Sequence, residues 1–102
     1  MKKVVNGKIY DTENATLIAE YAYGLNSNPG WETTALYYDP KGDFFIAGEG
    51  GPITRWGVSI GKNQWSEGSG IQVITNDEAL RFAEQWEASP ETIAQYFEVG
   101  EA

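Results

Sequence analysis

The chain has 102 residues, 41% of them apolar and 14% aromatic, with fifteen carboxylates against seven bases and a formal net charge of −8. That length and apolar content suit one packed domain over residues 1–102 and exclude a two-domain or disordered reading. With no Cys and no His, disulfides are excluded, and the usual zinc ligands and the commonest acid–base and nucleophilic side chains are missing.

The chain therefore reads as a non-enzyme with no metal and no cofactor. No apolar run approaches the roughly 18 residues of a membrane span. Met1-Lys2-Lys3-Val4-Val5 is broken at once by Asn6-Gly7-Lys8, so it does not read as a signal peptide, and a cytoplasmic protein is expected.

In chain order, Asn6-Gly7 predicts a small hairpin of Lys3–Val5 against Lys8–Tyr10. Asp11 or Thr12 then caps an expected helix running to about Tyr23. Ala15, Ile18, Ala19 and Ala22 form its apolar stripe and Gly24 its C′ residue. Residues 25–30 read as a loop. Glu32–Asp39 and Asp43–Gly48 flank Asp39-Pro40-Lys41-Gly42 as a second hairpin. Gly48-Glu49-Gly50-Gly51-Pro52 reads as a break, residues 53–65 fit a strand or a helical turn, Ser66–Gly70 a loop, and Ile71–Ile74 a short strand. Thr75-Asn76-Asp77-Glu78 is a capping box opening a helix to about Glu87. Ser89-Pro90-Glu91 opens a second helix, closed by Gly100. The expected fold is α+β: a small, mainly antiparallel sheet of three to five strands packed against an N-terminal helix and two C-terminal helices.

Charge is unevenly spread. Residues 1–66 hold seven acids and six bases; residues 67–102 hold eight acids and only Arg81. Those acids are Glu67, Asp77, Glu78, Glu84, Glu87, Glu91, Glu98 and Glu101. Such a field repels nucleic acid and attracts basic protein surfaces, including surfaces that hold nucleic acid. Asp77, Glu78, Glu84, Glu87, Glu91 and Glu98 are the candidate partner-binding residues, with 77, 84 and 87 on one side of the first helix. The same acids also fit a solvated face that keeps the protein soluble.

Other motifs fail on spacing. The glycine run at 48–51 lacks the third glycine of a dinucleotide loop, since Ile53 stands there, and Gly57 to Asn63 misses the phosphate-loop pattern. Asp39 and Asp43 do not continue into a calcium loop. Trp31, Arg55-Trp56 and Asn63-Gln64-Trp65 fit either an exposed aromatic patch or the rim of a small core. No pair of acids stands out as a catalytic dyad.

Several pieces together carry a resemblance: Asn6-Gly7-Lys8-Ile9-Tyr10-Asp11-Thr12-Glu13 with Ile18-Ala19, Leu36-Tyr37, Phe44-Phe45-Ile46 with Gly48-Glu49-Gly50-Gly51, Trp65, Gly68-Ser69-Gly70 and Glu78-Ala79-Leu80. Over most of its length the chain resembles small acidic proteins of phages and other bacterial mobile elements, of the anti-CRISPR or anti-defence type; Trp56-Gly57 departs from that pattern. The resemblance implies an inhibitor that binds a Cas protein or surveillance complex stoichiometrically in the host bacterial cytoplasm. Its partner would be a host defence protein with a basic nucleic-acid groove, with no direct nucleic-acid or membrane contact. The alternative is a non-inhibitory accessory protein of a mobile element that assembles with itself, for instance as a homodimer.

Overall fold

In the computed structural model, which describes residues 1–100, ten elements follow one another: eight strands and then two helices. Glu101, one of the C-terminal acids, lies outside the described residues. Strands β1 (Lys2–Val5) and β2 (Lys8–Asp11) form the expected N-terminal hairpin. Its two-residue turn places Asn6 and Gly7 at positive φ (52° and 78°), as a right-twisted hairpin requires.

The predicted N-terminal helix does not form. Asp11 instead caps a turn, accepting from the Glu13 amide through Oδ1 (2.9 Å), and Thr16–Tyr23 is strand β3. Leu17 pairs with Tyr37 and Ala19 with Leu36, so Ile18 is the extra residue of a β-bulge. The bulge sends Ile18 and Ala19 into the core together, while Ala15, before the strand, packs beneath the N-terminal hairpin. A turn and a bulge thus reproduce a three-and-four apolar spacing without a helix. Gly24 does take positive φ (72°), at the end of a strand rather than of a helix.

Strands β4 (Glu32–Tyr38) and β5 (Phe44–Gly50) form the second expected hairpin. Its turn is fixed by Asp39, whose Oδ1 accepts from the Lys41 amide (2.7 Å) and whose carbonyl accepts from Gly42 (2.9 Å). Residues 53–65 resolve into a turn-rich loop and a small hairpin, β6 (Val58–Gly61) and the start of β7 (Gln64–Ser66). Strand β8 (Gly68–Ile74) is longer than expected and completes a four-stranded antiparallel sheet in the order β3-β4-β5-β8.

Four glycines read as part of a break or loop, Gly48, Gly50, Gly68 and Gly70, lie in strands β5 and β8. Gly48 pairs with Gly70 and Gly50 with Gly68. A Cβ at Gly48 would collide with the Thr33 carbonyl, and the Trp56 ring lies 3.4 Å from where a Cβ on Gly70 would stand. Gly68 lies against the Trp56 carbonyl and Gly50 against Thr54 and the Trp31 carbonyl, so each of the four glycines admits a close neighbour. Trp56 is buried and donates from Nε1 to Thr34 Oγ1 (2.8 Å).

Alternation sorts the strands into two faces. One face carries Leu36, Phe44 and Ile46 and packs under helices α1 (Asn76–Gln85) and α2 (Pro90–Tyr96). The other carries Phe45 and Ala47 and is covered at one end by Tyr10 of the N-terminal hairpin. A four-stranded antiparallel sheet with two small two-stranded hairpins beside it and two C-terminal helices on one face is therefore the architecture. No helix of the described residues is long and apolar enough to cross a membrane.

Candidate functional site

Helix α1 begins as its sequence dictates. Thr75 Oγ1 accepts from the Glu78 amide (3.2 Å), and Glu78 Oε1 accepts from the Thr75 amide (3.0 Å) and hydroxyl (3.1 Å). These bonds hold the Glu78 carboxyl below its usual range, the backbone bond from Thr75 contributing most. Glu78 thus has a structural task as a cap. Ala79 and Ala83 let the helix backbone approach the sheet closely, both with no exposed surface.

The next turn is an aromatic cluster around one cation. Phe82 and Trp86 stack with ring centroids 4.6 Å apart, and Trp86 also stacks on Tyr21 (5.7 Å). The Arg55 guanidinium lies against both, 5.2 Å from the Phe82 ring and 5.6 Å from the Trp86 ring. Its Nε donates to Glu32 Oε2 (2.8 Å), which also accepts from Thr34 Oγ1, itself the acceptor for Trp56. This chain of bonds ties the 51–57 loop, the sheet and α1 together, with Oε2 of the buried carboxylate taking both contacts. Sequence reading missed it because Glu32, Thr34 and Arg55 meet only through the fold; Arg55 beside Trp56 was the one local signal.

Helix α1 stops two residues short of the expected end. Trp86 is the C-cap, the Ala88 amide donates to the Ala83 carbonyl (2.9 Å) and the Glu87 amide to that of Glu84 (3.2 Å). This is a Schellman motif with Glu87 at its left-handed C′ position (φ 58°), where glycine is favoured. Helix α2, capped by Ser89 with Pro90 in its first turn, ends at Tyr96 rather than Gly100. Phe97 turns extended (φ −132°) to stack on Phe44 (4.8 Å), and Tyr96 packs on Tyr38 (5.0 Å).

All six candidate acids are exposed. Asp77 and Glu78 lie in the first turn of α1 and Glu91 in that of α2, where the helix dipole favours them. Glu84 sits in the last turn of α1 and Glu87 just beyond it; Glu98 follows the C-cap of α2. Glu84, Glu87 and Glu91 thus bracket the helix junction. Arg81, on the exposed side of α1, interrupts the row between Asp77 and Glu84.

The ion pairs show which charges the fold uses. Lys2–Asp11 (3.8 Å), Lys8–Asp43 (3.6 Å), Lys41–Asp39 (3.2 Å) and Arg55–Glu32 all lie among residues 2–55. Among the described residues no acid from Glu67 onward has an ionic partner. Asp39 and Asp43 are occupied by turn and hairpin contacts, Asp43 Oδ2 also accepting from Tyr10 (2.8 Å).

Of the tryptophans singled out, Trp31 and Trp56 are buried, and only Trp65 is exposed (57%). It lines a groove with Pro52, Ile53 (75%) and Thr54, while Val58 and Ile60 (63%) are exposed elsewhere on the β6–β7 hairpin. Ile53 lines a groove with Tyr21, Tyr23 and Arg55, beside the residues that grip Trp86. No protein-family model matches the chain, and no curated protein or solved structure matches it.

Proposed function

We propose that this chain is a stoichiometric inhibitor of the anti-CRISPR type, which lays the acids of its two helices along a basic groove of a Cas protein or surveillance complex. The observation that carries the reading is the separation of charges: the four ion pairs, of Lys2, Lys8, Lys41 and Arg55, lie within residues 2–55, and no described acid from Glu67 onward has an ionic partner. Glu84 and Glu87 add weight. They stand at the negative end of the α1 dipole with no basic residue in that turn, a placement that works against the helix and favours an external cation. Glu78, occupied by Thr75, contributes charge but little freedom to reach a partner. Exposed Ile53 and Tyr23 supply apolar surface next to the same helix, since charge pairs set approach and register more than net affinity.

The test is binding to purified effector complexes with Glu84, Glu87 and Glu91 together changed to Gln. Association is expected to slow by about tenfold at low salt, and the wild type to slow similarly as salt rises. Unchanged binding in both arms rejects the charge mechanism. A second reading, a self-assembling accessory protein of a mobile element, draws on exposed Val58, Ile60 and Trp65. Sedimentation showing a stable dimer that Trp65→Ser dissolves, without protection of phage from CRISPR, would favour it.

A further inference from the structure

The sheet face opposite the helices is only partly covered. Beyond the N-terminal hairpin it leaves a groove of about 480 Å3, with Ala22, Thr33, Ala35 and Ala47 on its floor and Glu20 and Glu49 at its sides. The strand register fixes how these residues are arranged. Glu20 pairs with Ala35, which pairs with Ala47; Ala22 pairs with Thr33, which pairs with Glu49. The two glutamates are therefore diagonal corners of a three-strand grid. Strand spacings of about 4.8 Å and a two-residue step of about 6.7 Å put their Cα atoms about 12 Å apart. Every residue between them is small, so nothing on the floor stands as tall as the acids.

Both carboxylates are exposed, and neither has an ion pair or a side-chain hydrogen bond among the described residues. Burial and the nearby charge of Glu20 raise the Tyr37 phenol above its ordinary range, which keeps that neighbour neutral. At the hairpin end Met1 and Thr12 line the groove, and there the Met1 amino group is engaged by Thr12 Oγ1 (2.8 Å).

We infer that this groove docks an extended segment of a partner protein carrying two Lys or Arg residues four positions apart. The match is one of charge and span. Basic side chains at i and i+4 of an extended chain lie on one side, about 13 Å apart, close to the separation of Glu20 and Glu49. The intervening residues would lie over the alanine and threonine floor. A groove of this volume holds a few peptide residues, whereas a bare polyamine leaves most of it unfilled. This site is on the opposite face from the acidic helices and stands or falls separately from them.

A capped peptide Lys-Thr-Thr-Thr-Lys titrated into isotope-labelled protein tests the inference by amide shifts. Saturable shifts are expected at 20–22, 33–35 and 47–49. Affinity should fall about tenfold in Glu20→Gln or Glu49→Gln, and also in Ala22→Leu, which fills an exposed floor position. Glu84→Gln should leave it unchanged. The Gln variants remove no internal partner, so their spectra should otherwise overlay on wild type. Shifts confined to residues 76–98, no saturation at millimolar peptide, or equal affinity for spermidine would each overturn the proposal.

Discussion

The two faces of the four-stranded sheet share their strands and are finished in opposite ways. On the helical face Leu36, Phe44 and Ile46 are sealed by Ala79, Ala83 and a run of stacked rings, and the buried Glu32 carboxylate is held at Oε2 by Arg55 and Thr34. On the hairpin face Phe45, Ala47 and Tyr10 form a smaller buried cluster, and the sheet beyond them is open. The difference separates two kinds of charge. Acids that the fold uses have a named partner close by: Asp11, Glu32, Asp39, Asp43 and Glu78. The other described acids have none: Asp77, Glu84, Glu87, Glu91 and Glu98 on the helices and their flanks, Glu20 and Glu49 on the opposite face, Glu13 in a turn and Glu67 between β7 and β8.

The largest effects test whether each face has its own core. Leu36→Ala on the helical face and Phe45→Ala on the hairpin face should each cost about 3–5 kcal/mol in denaturant unfolding, since both side chains are fully buried. A loss below about 1 kcal/mol for Phe45→Ala would mean that the hairpin contributes no core. Arg55→Ala comes next. It strands Glu32 inside the helical face, and because the guanidinium side chain is 30% exposed, solvent relieves part of the cost. A loss of about 2–3 kcal/mol is expected, reduced when Glu32→Gln is added. Additive single effects would show that the two do not act as a pair.

Tyr10→Phe probes the sealed end of the hairpin face. It removes the hydrogen bond to Asp43 while leaving the edge contact on Phe45 (5.5 Å), and should cost about 1–2 kcal/mol near neutral pH. Its pH signature is more specific. Burial first, then the bond to Asp43 and the charges of Asp43 and Asp39, push the Tyr10 phenol from 10.0 up to about 12. The folded chain therefore holds this proton to higher pH than the unfolded chain. The stabilisation is complete below pH 10 and is lost as pH rises through 12. Stability curves should converge there for wild type and Tyr10→Phe; a constant gap would assign the alkaline loss to other groups.

Much of this architecture was legible in local chemistry. Asn6-Gly7, Asp39-Pro40-Lys41-Gly42, Thr75 with Glu78, and Ser89-Pro90 each satisfy backbone groups within four residues, so sequence alone locates both main hairpins and both helix starts. What failed depended on distant residues. The bulge at Ile18 is set by pairing to β4, and without it the apolar spacing of residues 15–22 reads as helical. Gly48, Gly50, Gly68 and Gly70 admit close neighbours from Thr33, Thr54 and Trp56 that only the fold brings there, so glycine count alone pointed to turns. The acidic helices were legible as charge. The groove between Glu20 and Glu49 was not, because only strand register brings those residues to one face.

The smallest expected effect bears most directly on why the helical acids are where they are. Glu87 holds a left-handed backbone (φ 58°) in the Schellman turn, next to carbonyls at the negative end of α1. Both features favour replacement. Glu87→Gly should stabilise the fold by up to about 1 kcal/mol, measured as a raised denaturation midpoint. Glu87→Gln keeps the backbone strain and removes only the charge, so a smaller gain in that variant isolates the dipole contribution. If the helix junction meets a basic groove, both variants should bind the effector more slowly while being no less stable than wild type. That opposition of stability and binding is what a residue kept for a partner predicts. A Glu87→Gly variant that is more stable and binds as quickly as wild type would remove Glu87 from the interface, and leave Glu84 and Glu91 to carry the junction's charge.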